Sequence, residues 1–214
     1  MATDPAYAAA QVFQCLRNTQ QIAPFTAADP GFSAGSAYAV TADLRRLRIA
    51  AGEKPAGRKI GFTNRTIWDE YGVFAPIWGD VYDTTVHATD SSARGSLSLA
   101  GLLEPRIEPE IIFGLKGPVS PDMDDASLIG ALDWIAHGFE IVQSIYPDWR
   151  FAIADTIACG GLHGRMIVGP KRSVAHWTTG NLARALAAFQ IELACGGESI
   201  DSGGGANVLD SPLN

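Results

Sequence analysis

The chain has 214 residues, of which 47% are hydrophobic and 18% charged, a composition typical of a globular protein that buries its own core. A formal net charge of −7, without any cluster of basic and aromatic residues, argues against a nucleic-acid partner. No apolar stretch is long enough to span a bilayer, so no membrane partner is expected. Cys15, Cys159 and Cys195 are odd in number and widely spaced, which predicts reduced thiols in a cytoplasmic protein.

Two amphipathic helices are predicted first. One runs from Pro5 to about Ile22, and the other begins at Ser33 or Ser36 and ends at Gly52. Each places apolar residues on one face, namely Ala9, Phe13 and Leu16 in the first helix and Val40, Leu44 and Leu47 in the second. This part of the chain is therefore predicted to be helical.

The sequence changes character at Arg58. Short β-favouring runs broken by Gly and Pro occupy 59–62, 77–82 and 103–113. We therefore expect an N-terminal helical lobe, residues 1–57, and a β-rich lobe, residues 58–214. Helices and strands are mixed without a regular strand-helix-strand alternation, which predicts the α+β class.

Further elements are predicted inside the second lobe. Apolar residues at helical spacing predict a helix over 125–139, in which His137 would be a structural residue. Another helix is expected to open at residues 178–179, and alternation predicts a strand over 190–194. The glycine run 203–205 lacks the spacing of a phosphate-binding loop and is predicted to be a flexible turn.

Three glutamates form the densest group of residues suited to chemistry. Glu108 and Glu110 lie two positions apart in a predicted strand, so their side chains share one face. Glu140 lies in a second apolar run, 139–142, where burial without a partner is costly. Two interpretations are open: carboxylates on a solvated sheet face, or oxygen ligands of Mg²⁺ or Mn²⁺. The third glutamate favours the metal site.

Lys59 and His163 are the candidate catalytic residues. Lys59 precedes a β-favouring run, and it is either a surface lysine or one that neutralises an enolate or transfers a proton. His163 stands in a glycine-rich segment, where the backbone could approach a ligand closely. Sequence alone gives no distance between either residue and the glutamates.

A set of motifs carries a resemblance to a known family. They are Ala37-Tyr38-Ala39-Val40, Gly52-Glu53-Lys54, Lys59-Ile60-Gly61-Phe62-Thr63, Glu104-Pro105-Arg106-Ile107-Glu108-Pro109-Glu110, Phe139-Glu140-Ile141-Val142 and Gly205-Ala206-Asn207-Val208-Leu209. In this order and spacing the motifs resemble the 2-keto-4-pentenoate hydratase and 4-oxalocrotonate decarboxylase group of the fumarylacetoacetate hydrolase superfamily. The likeness runs from about residue 5 to the end of the chain.

The resemblance implies a mixed β-roll that binds a divalent ion, Mg²⁺ or Mn²⁺. Its metal ligands would be Glu108, Glu110 and Glu140, and Lys59 would lie beside the substrate. Residues expected to bind the substrate are Arg65, Asp80, Gln143 and Ser144. The family continues beyond the segment that ends at Leu213, so C-terminal strands of the roll are expected to be missing.

The activity implied by the resemblance is that of a hydro-lyase in aromatic catabolism, in a cytoplasmic homo-oligomer. It would add water to a 2-hydroxydienoate and give a 4-hydroxy-2-oxo acid. Alternatives are a 4-oxalocrotonate-type decarboxylase, with Arg65 or Arg150 as anchors for a second carboxylate, and an acylpyruvate hydrolase. Ala158-Cys159-Gly160 stands where the family has Ala-Asp-Asn, which leaves a non-catalytic partner subunit or inactive fragment as a further alternative.

Overall fold

The computed structural model describes residues 2–214. The helices are α1 (Pro5–Asn18), α2 (Phe25–Ala28), α3 (Ala34–Ala50), α4 (Trp68–Tyr71), α5 (Asp125–Ala131), α6 (Ile153–Ala158) and α7 (Thr179–Ala188). The strands are β1 (Pro55–Gly61), β2 (Ile77–Tyr82), β3 (Val86–Ala88), β4 (Arg106–Leu115), β5 (Leu132–Val142), β6 (His163–Val168), β7 (Arg172–Ser173), β8 (Gln190–Cys195) and β9 (Glu198–Gly204). Across the described residues, no helix combines the length and the apolar character that a membrane crossing requires.

The two N-terminal helices form where capping residues and apolar spacing predict them. Asp4 caps α1 and Ser33 caps α3, each through a side chain that accepts a backbone hydrogen bond from the first turn. Helix α1 ends at Asn18, before the predicted Ile22, because Thr19 adopts the left-handed conformation with φ of 54°. The predicted helix and strand near the C-terminus are confirmed as α7 and β8.

The main sheet of the described chain has the order β3, β6, β5, β4, and β7 also pairs with β5. Strands β4 and β5 form a long antiparallel pair, β5 and β6 are antiparallel, and β3 lies parallel to β6. Strands β1 and β2 form a separate antiparallel pair, as do β8 and β9. This mixture of helices and sheets agrees with the predicted α+β class.

The prediction of one helix over 125–139 is wrong. Helix α5 ends at Ala131, and Leu132 begins β5, which pairs with β4 along its length. Long-range pairing wins over the local helical spacing because the aromatic and β-branched residues of this segment fit a half-buried sheet. His137 therefore lies on a strand with an exposed side chain, and the prediction of a structural helix residue is also wrong.

The prediction of a flexible turn at the glycine run is wrong as well. Gly203 and Gly204 complete β9, and Gly205 begins a 3-10 turn over Gly205–Asn207. A side chain at Gly205 would collide with the backbone carbonyl of Leu186 in α7. The glycine thus serves close packing of the turn against a helix.

The larger of two hydrophobic clusters lies between the N-terminal helices, α6 and the loop after β5. Its fully buried members include Val12, Val40, Tyr146 and Ile157. The second cluster packs α7 against α5 and the start of β5. The division into lobes at residues 1–57 and 58–214 stays a prediction.

Candidate metal centre

The three glutamates come together through the register of β4 and β5. Glu108 pairs directly with Glu140 across the two strands, and paired residues project from the same face of a sheet. Glu110 follows Glu108 by two residues and shares that face. One carboxylate oxygen from each glutamate can be chosen so that all three lie within 4.8 Å of one another. Adjacent strands thus focus three carboxylates on one point.

Lys59 reaches the three glutamates from strand β1, which belongs to the two-stranded sheet formed with β2. Its Nζ lies 2.8 Å from Glu140 Oε2 and donates a hydrogen bond of 3.0 Å to the carbonyl oxygen of Gly161. Strand β2 carries Gly79 opposite Lys59, and a side chain there would collide with the carbonyl of Gly160. Glycines on both sides of this contact therefore let the two-stranded sheet approach closely enough for Lys59 to reach Glu140.

His163 lies on the other side of Glu140, at the start of β6. Its Nδ1 is 2.7 Å from Glu140 Oε1, and its Nε2 is 2.8 Å from the hydroxyl oxygen of Thr85. His163, Glu140 and Thr85 are all buried. The Glu140 carboxylate is therefore contacted by a nitrogen on each of its oxygens.

Burial and neighbouring charges shift the pKa values of these groups. Burial raises the pKa of Glu110 to about 8, and the negative charge of Glu140 adds to the shift. Burial and Glu140 likewise raise the pKa of Glu108. For Glu140, burial opposes ionisation, but Lys59 and His163 outweigh it and lower the pKa. For Lys59, burial opposes the ammonium form, yet the charges of Glu140 and Glu108 raise its pKa.

The group fits a hard divalent cation. All three candidate ligands are carboxylates, which suit Mg²⁺ and Mn²⁺ better than zinc. Glu140 Oε2 is a fully buried carboxylate oxygen whose contact within residues 2–214 is the Lys59 ammonium at 2.8 Å. Three crowded carboxylates that face a single neighbouring ammonium are what a divalent cation would stabilise.

The four predicted substrate-binding residues do not gather as one group. Arg65 is ion-paired with Asp210 in a cleft that Ala206, Asn207 and Leu209 also line. Asp80 is buried and lies 2.5 Å from Arg45, which neutralises it. Asp80 lines a small cavity together with His163.

Gln143 and Ser144 make structural hydrogen bonds. The side-chain oxygen of Gln143 accepts from Leu103 N, and its amide donates to the carbonyl oxygen of His163 at 3.4 Å. The Ser144 hydroxyl donates to the carbonyl oxygen of Tyr146. Their binding of substrate stays a prediction.

Thr85 and Gly161 are contacts of this centre that sequence reasoning did not find. Thr85 lies in a 3-10 turn, Asp83–Thr85, between β2 and β3, and is 78 residues from His163 in sequence. Gly161 contributes a backbone carbonyl, which carries no side-chain signal. Neither position has a motif that could have revealed it.

The sequence and the fold of the chain are similar to those of known enzymes. No protein-family model matches the chain. It is 33% identical over 203 residues to the 2-hydroxyhexa-2,4-dienoate hydratase of Comamonas testosteroni, covering 94% of this chain and 74% of that protein. It is 28% identical over 212 residues to the 2-hydroxypent-2,4-dienoate hydratase of Pseudomonas putida, covering 95% of this chain and 88% of that protein.

A solved structure shows the same architecture. The 4-oxalocrotonate decarboxylase from Pseudomonas putida G7, complexed with magnesium and adipate, superimposes with a TM-score of 0.87 at 26% identity, covering 98% of this chain and 76% of that chain. The fold and the comparisons thus define a class of hydratases and decarboxylases, one of which has been solved with magnesium. The chain belongs to the family of the 2-keto-4-pentenoate hydratases and 4-oxalocrotonate decarboxylases.

Proposed function

We propose that this protein is a divalent-metal-dependent hydro-lyase that adds water to a 2-hydroxydienoate and gives a 4-hydroxy-2-oxo acid. The observation that carries the proposal is the convergence of Glu108, Glu110 and Glu140 beside a buried lysine, in a chain whose relatives are named as hydratases. Breakdown products of aromatic compounds are the proposed source of the substrate. The three free thiols support a reducing, cytoplasmic compartment.

The three glutamates would hold Mg²⁺ or Mn²⁺. Magnesium in the similar decarboxylase structure supports this assignment, as does the ligand chemistry. When bound, the ion supplies Lewis-acid stabilisation of the negative charge that develops on the substrate's oxygens. Glu108 and Glu110 would contribute oxygens from β4 at the edge of the sheet, whereas Glu140 would anchor the ion from β5 inside the sheet.

Lys59 would hold a proton on Nζ beside the reacting groups. Its pKa is raised, because Glu140 and Glu108 together outweigh the effect of burial, so it stays an ammonium at neutral pH. An ammonium in a buried position attracts a negatively charged substrate and can donate a proton where carbanion character develops. Burial of the Lys59 side chain also keeps bulk water away from this end of the site.

A decarboxylase acting on a dicarboxylic acid is the second candidate, because the similar solved structure is a decarboxylase. That reaction needs a cation for a second carboxylate. The Arg65 guanidinium is already paired with Asp210, which supports the smaller monocarboxylate substrate of a hydratase. An acylpyruvate hydrolase stays a lesser alternative. The ordered carboxylate centre argues against a non-catalytic subunit.

We also propose that the sheets belong to a fumarylacetoacetate-hydrolase-like β-roll in a homo-oligomer. The high structural similarity to the decarboxylase supports the fold assignment. The unpaired outer edge of β4, within the described residues, supports association because exposed sheet edges favour pairing. Sedimentation of the purified chain would measure the oligomeric state.

A substrate panel distinguishes the two candidate reactions. The purified protein with Mg²⁺ would be given 2-hydroxypenta-2,4-dienoate and, separately, 2-oxohex-3-enedioate. The hydratase proposal expects a hydrated product from the first compound and no release of carbon dioxide from the second. Carbon dioxide from the dicarboxylate, with no hydration of the monocarboxylate, would instead support the decarboxylase.

A further inference from the structure

Thr85, His163 and Glu140 form a buried chain of hydrogen bonds that ends at a candidate metal ligand. The Thr85 hydroxyl oxygen lies 2.8 Å from His163 Nε2, and His163 Nδ1 lies 2.7 Å from Glu140 Oε1. Relative side-chain exposure is 2% for His163 and 0% for Glu140. Both ring nitrogens of His163 are therefore engaged by the protein.

We propose that Thr85 and His163 are positioning residues: they fix the Glu140 carboxylate for metal binding, and His163 acts through Glu140 instead of on the substrate. This inference rests on the proposed metal-dependent function. It assigns a role to Thr85 and replaces the expected catalytic role of His163.

The backbone is shaped to bring His163 onto the face of Glu140. Strands β5 and β6 pair in register from Gly138 to Ile141, and a bulge then makes Val142 the partner of His163. Because side chains alternate along a strand, the extra residue moves His163 to the face that Val142 and Glu140 share. The bulge therefore determines whether the imidazole can reach Glu140 at all.

Two further backbone features maintain this arrangement. Gly164 is the extra residue of the bulge, and a side chain there would approach the carbonyl oxygen of Ile141 to 2.5 Å. Leu162, directly before His163, has φ of 64°, a conformation that is unfavourable for a bulky residue. Strain of this kind persists only where the surrounding structure enforces it.

The Thr85 hydroxyl is held in place independently of His163. It donates to the carbonyl oxygen of Tyr82 at 2.9 Å and accepts from Tyr82 N at 3.3 Å. The ring of Tyr82 is in turn covered by the Arg48 guanidinium at 3.9 Å. A fixed hydroxyl at Nε2 sets the orientation of the imidazole plane, and the imidazole then sets Glu140 Oε1.

Glu140 is thereby restrained on both oxygens, with His163 at Oε1 and Lys59 at Oε2. A carboxylate fixed in this way keeps its remaining lone pairs directed at the point shared with Glu108 and Glu110. Partners that orient a metal ligand are typically worth about 10-fold to 100-fold in metal affinity. Removing the Thr85 hydroxyl should therefore weaken metal binding without touching a ligand.

The test is Mn²⁺ affinity, measured by electron paramagnetic resonance of free Mn²⁺, for wild type, Thr85→Val and Thr85→Ser. Valine preserves the shape of threonine but lacks the hydroxyl, whereas serine keeps it. We expect Thr85→Val to lose about tenfold in Mn²⁺ affinity and Thr85→Ser to remain close to wild type. His163→Leu, which removes both hydrogen bonds, should lose at least as much as Thr85→Val.

Thr26→Val is the matched control. Thr26 is half-buried, and its hydroxyl donates to the buried carboxylate of Asp155, which is not a member of the candidate centre. Its replacement should lower the unfolding temperature but leave Mn²⁺ affinity unchanged. A purely structural role for Thr85 would give the same result as this control, and that result would overturn the inference.

Two further measurements keep the outcomes separate. If Thr85→Val does not fold, Thr85→Ala and His163→Leu would be tested by the same criterion, and wild-type Mn²⁺ affinity in those folded variants would also overturn the inference. Wild-type Mn²⁺ binding that persists in Glu108→Ala would contradict the proposed metal site itself. If Glu108→Ala abolishes Mn²⁺ binding but Thr85→Val binds Mn²⁺ as tightly as the wild type, only the positioning role is contradicted.

Discussion

Lys59 Nζ lies 2.8 Å from Glu140 Oε2, and the two side chains come from different sheets, β1 and β5. Both residues are buried, with relative exposures of 7% and 0% for their side chains. This ion pair joins the two-stranded sheet to the main sheet at the candidate metal centre. It also makes the stability of the fold depend on the same charges that the proposed chemistry uses.

Breaking this pair should destabilise the protein. Lys59→Met leaves Glu140 buried beside one fewer positive partner, and removal of one member of a buried pair typically costs about 3 kcal/mol. The double variant Lys59→Met/Glu140→Gln should lose about 2 kcal/mol less unfolding free energy than the two single variants lose in sum. Urea denaturation at neutral pH measures all three variants. Strict additivity would show that the two charges do not interact energetically.

Removal of a single glutamate should abolish the stabilising effect of the metal. A saturating concentration of Mg²⁺, about 100 times its dissociation constant, should stabilise the wild type by about 2.7 kcal/mol, because the ion binds only the folded state. This stabilisation should appear as a higher unfolding temperature of the wild type with Mg²⁺ than without it. The unfolding temperature of Glu110→Gln should be the same with and without Mg²⁺.

Glu104→Gln provides the control for charge. Glu104 lies in the same segment, is exposed, and accepts hydrogen bonds from Gln21 Nε2 and Asp148 N instead of joining the three glutamates. It should respond to Mg²⁺ as the wild type does. An equal response of Glu110→Gln would place the ion somewhere else.

Glu53 should make stability depend on pH. Its carboxylate accepts hydrogen bonds from Arg48 and Thr84, and although burial opposes ionisation, these partners outweigh it and lower the pKa of Glu53 below 4.5. A lowered pKa in the folded state means that the stabilisation is complete above pH 4.5 and is lost as the pH falls through the lower folded value. Glu53→Gln should therefore cost about 2 kcal/mol at neutral pH.

The cost of Glu53→Gln should shrink in acid, where the wild-type carboxyl group is also neutral. Urea denaturation of both proteins at neutral pH and well below pH 4.5 measures the difference. A difference that stays constant across this range would mean that the ionised carboxylate contributes nothing to folding.

The three thiols should differ in reactivity. Cys195 is exposed, whereas Cys15 and Cys159 are buried. Burial raises the pKa of Cys159 to about 12, and the thiolate is the reactive form. An aromatic disulfide reagent should therefore modify only Cys195 in the native protein and all three cysteines after unfolding. Rapid modification of Cys159 in the native protein would contradict this expectation and would show that the segment Gly160–Gly161, beside Lys59, opens to solvent.

Sequence reasoning located the glutamates because the relevant information is local. Strand alternation alone places Glu108 and Glu110 on one face, and the apolar run around Glu140 marks it as buried and in need of a partner. The structure adds the cross-strand register that pairs Glu108 with Glu140.

Other features depend on contacts between distant segments. The segment 125–139 has helical spacing, but pairing with β4 converts its second half to strand, and no local pattern reveals that competition. Thr85 lies in an ordinary turn and gains its contact with His163 only through the packing of β3 beside β6. Long-range pairing, not residue type, decides both cases.

Conversion of 2-hydroxypenta-2,4-dienoate, followed by proton NMR with Mg²⁺ and then with excess chelator, tests the central claim most directly. The wild type should form 4-hydroxy-2-oxopentanoate with Mg²⁺ and stop when the chelator is added, and Glu108→Ala should form none. Hydration that continues undiminished in chelator or in Glu108→Ala would contradict a reaction that depends on a metal ion held by the glutamates.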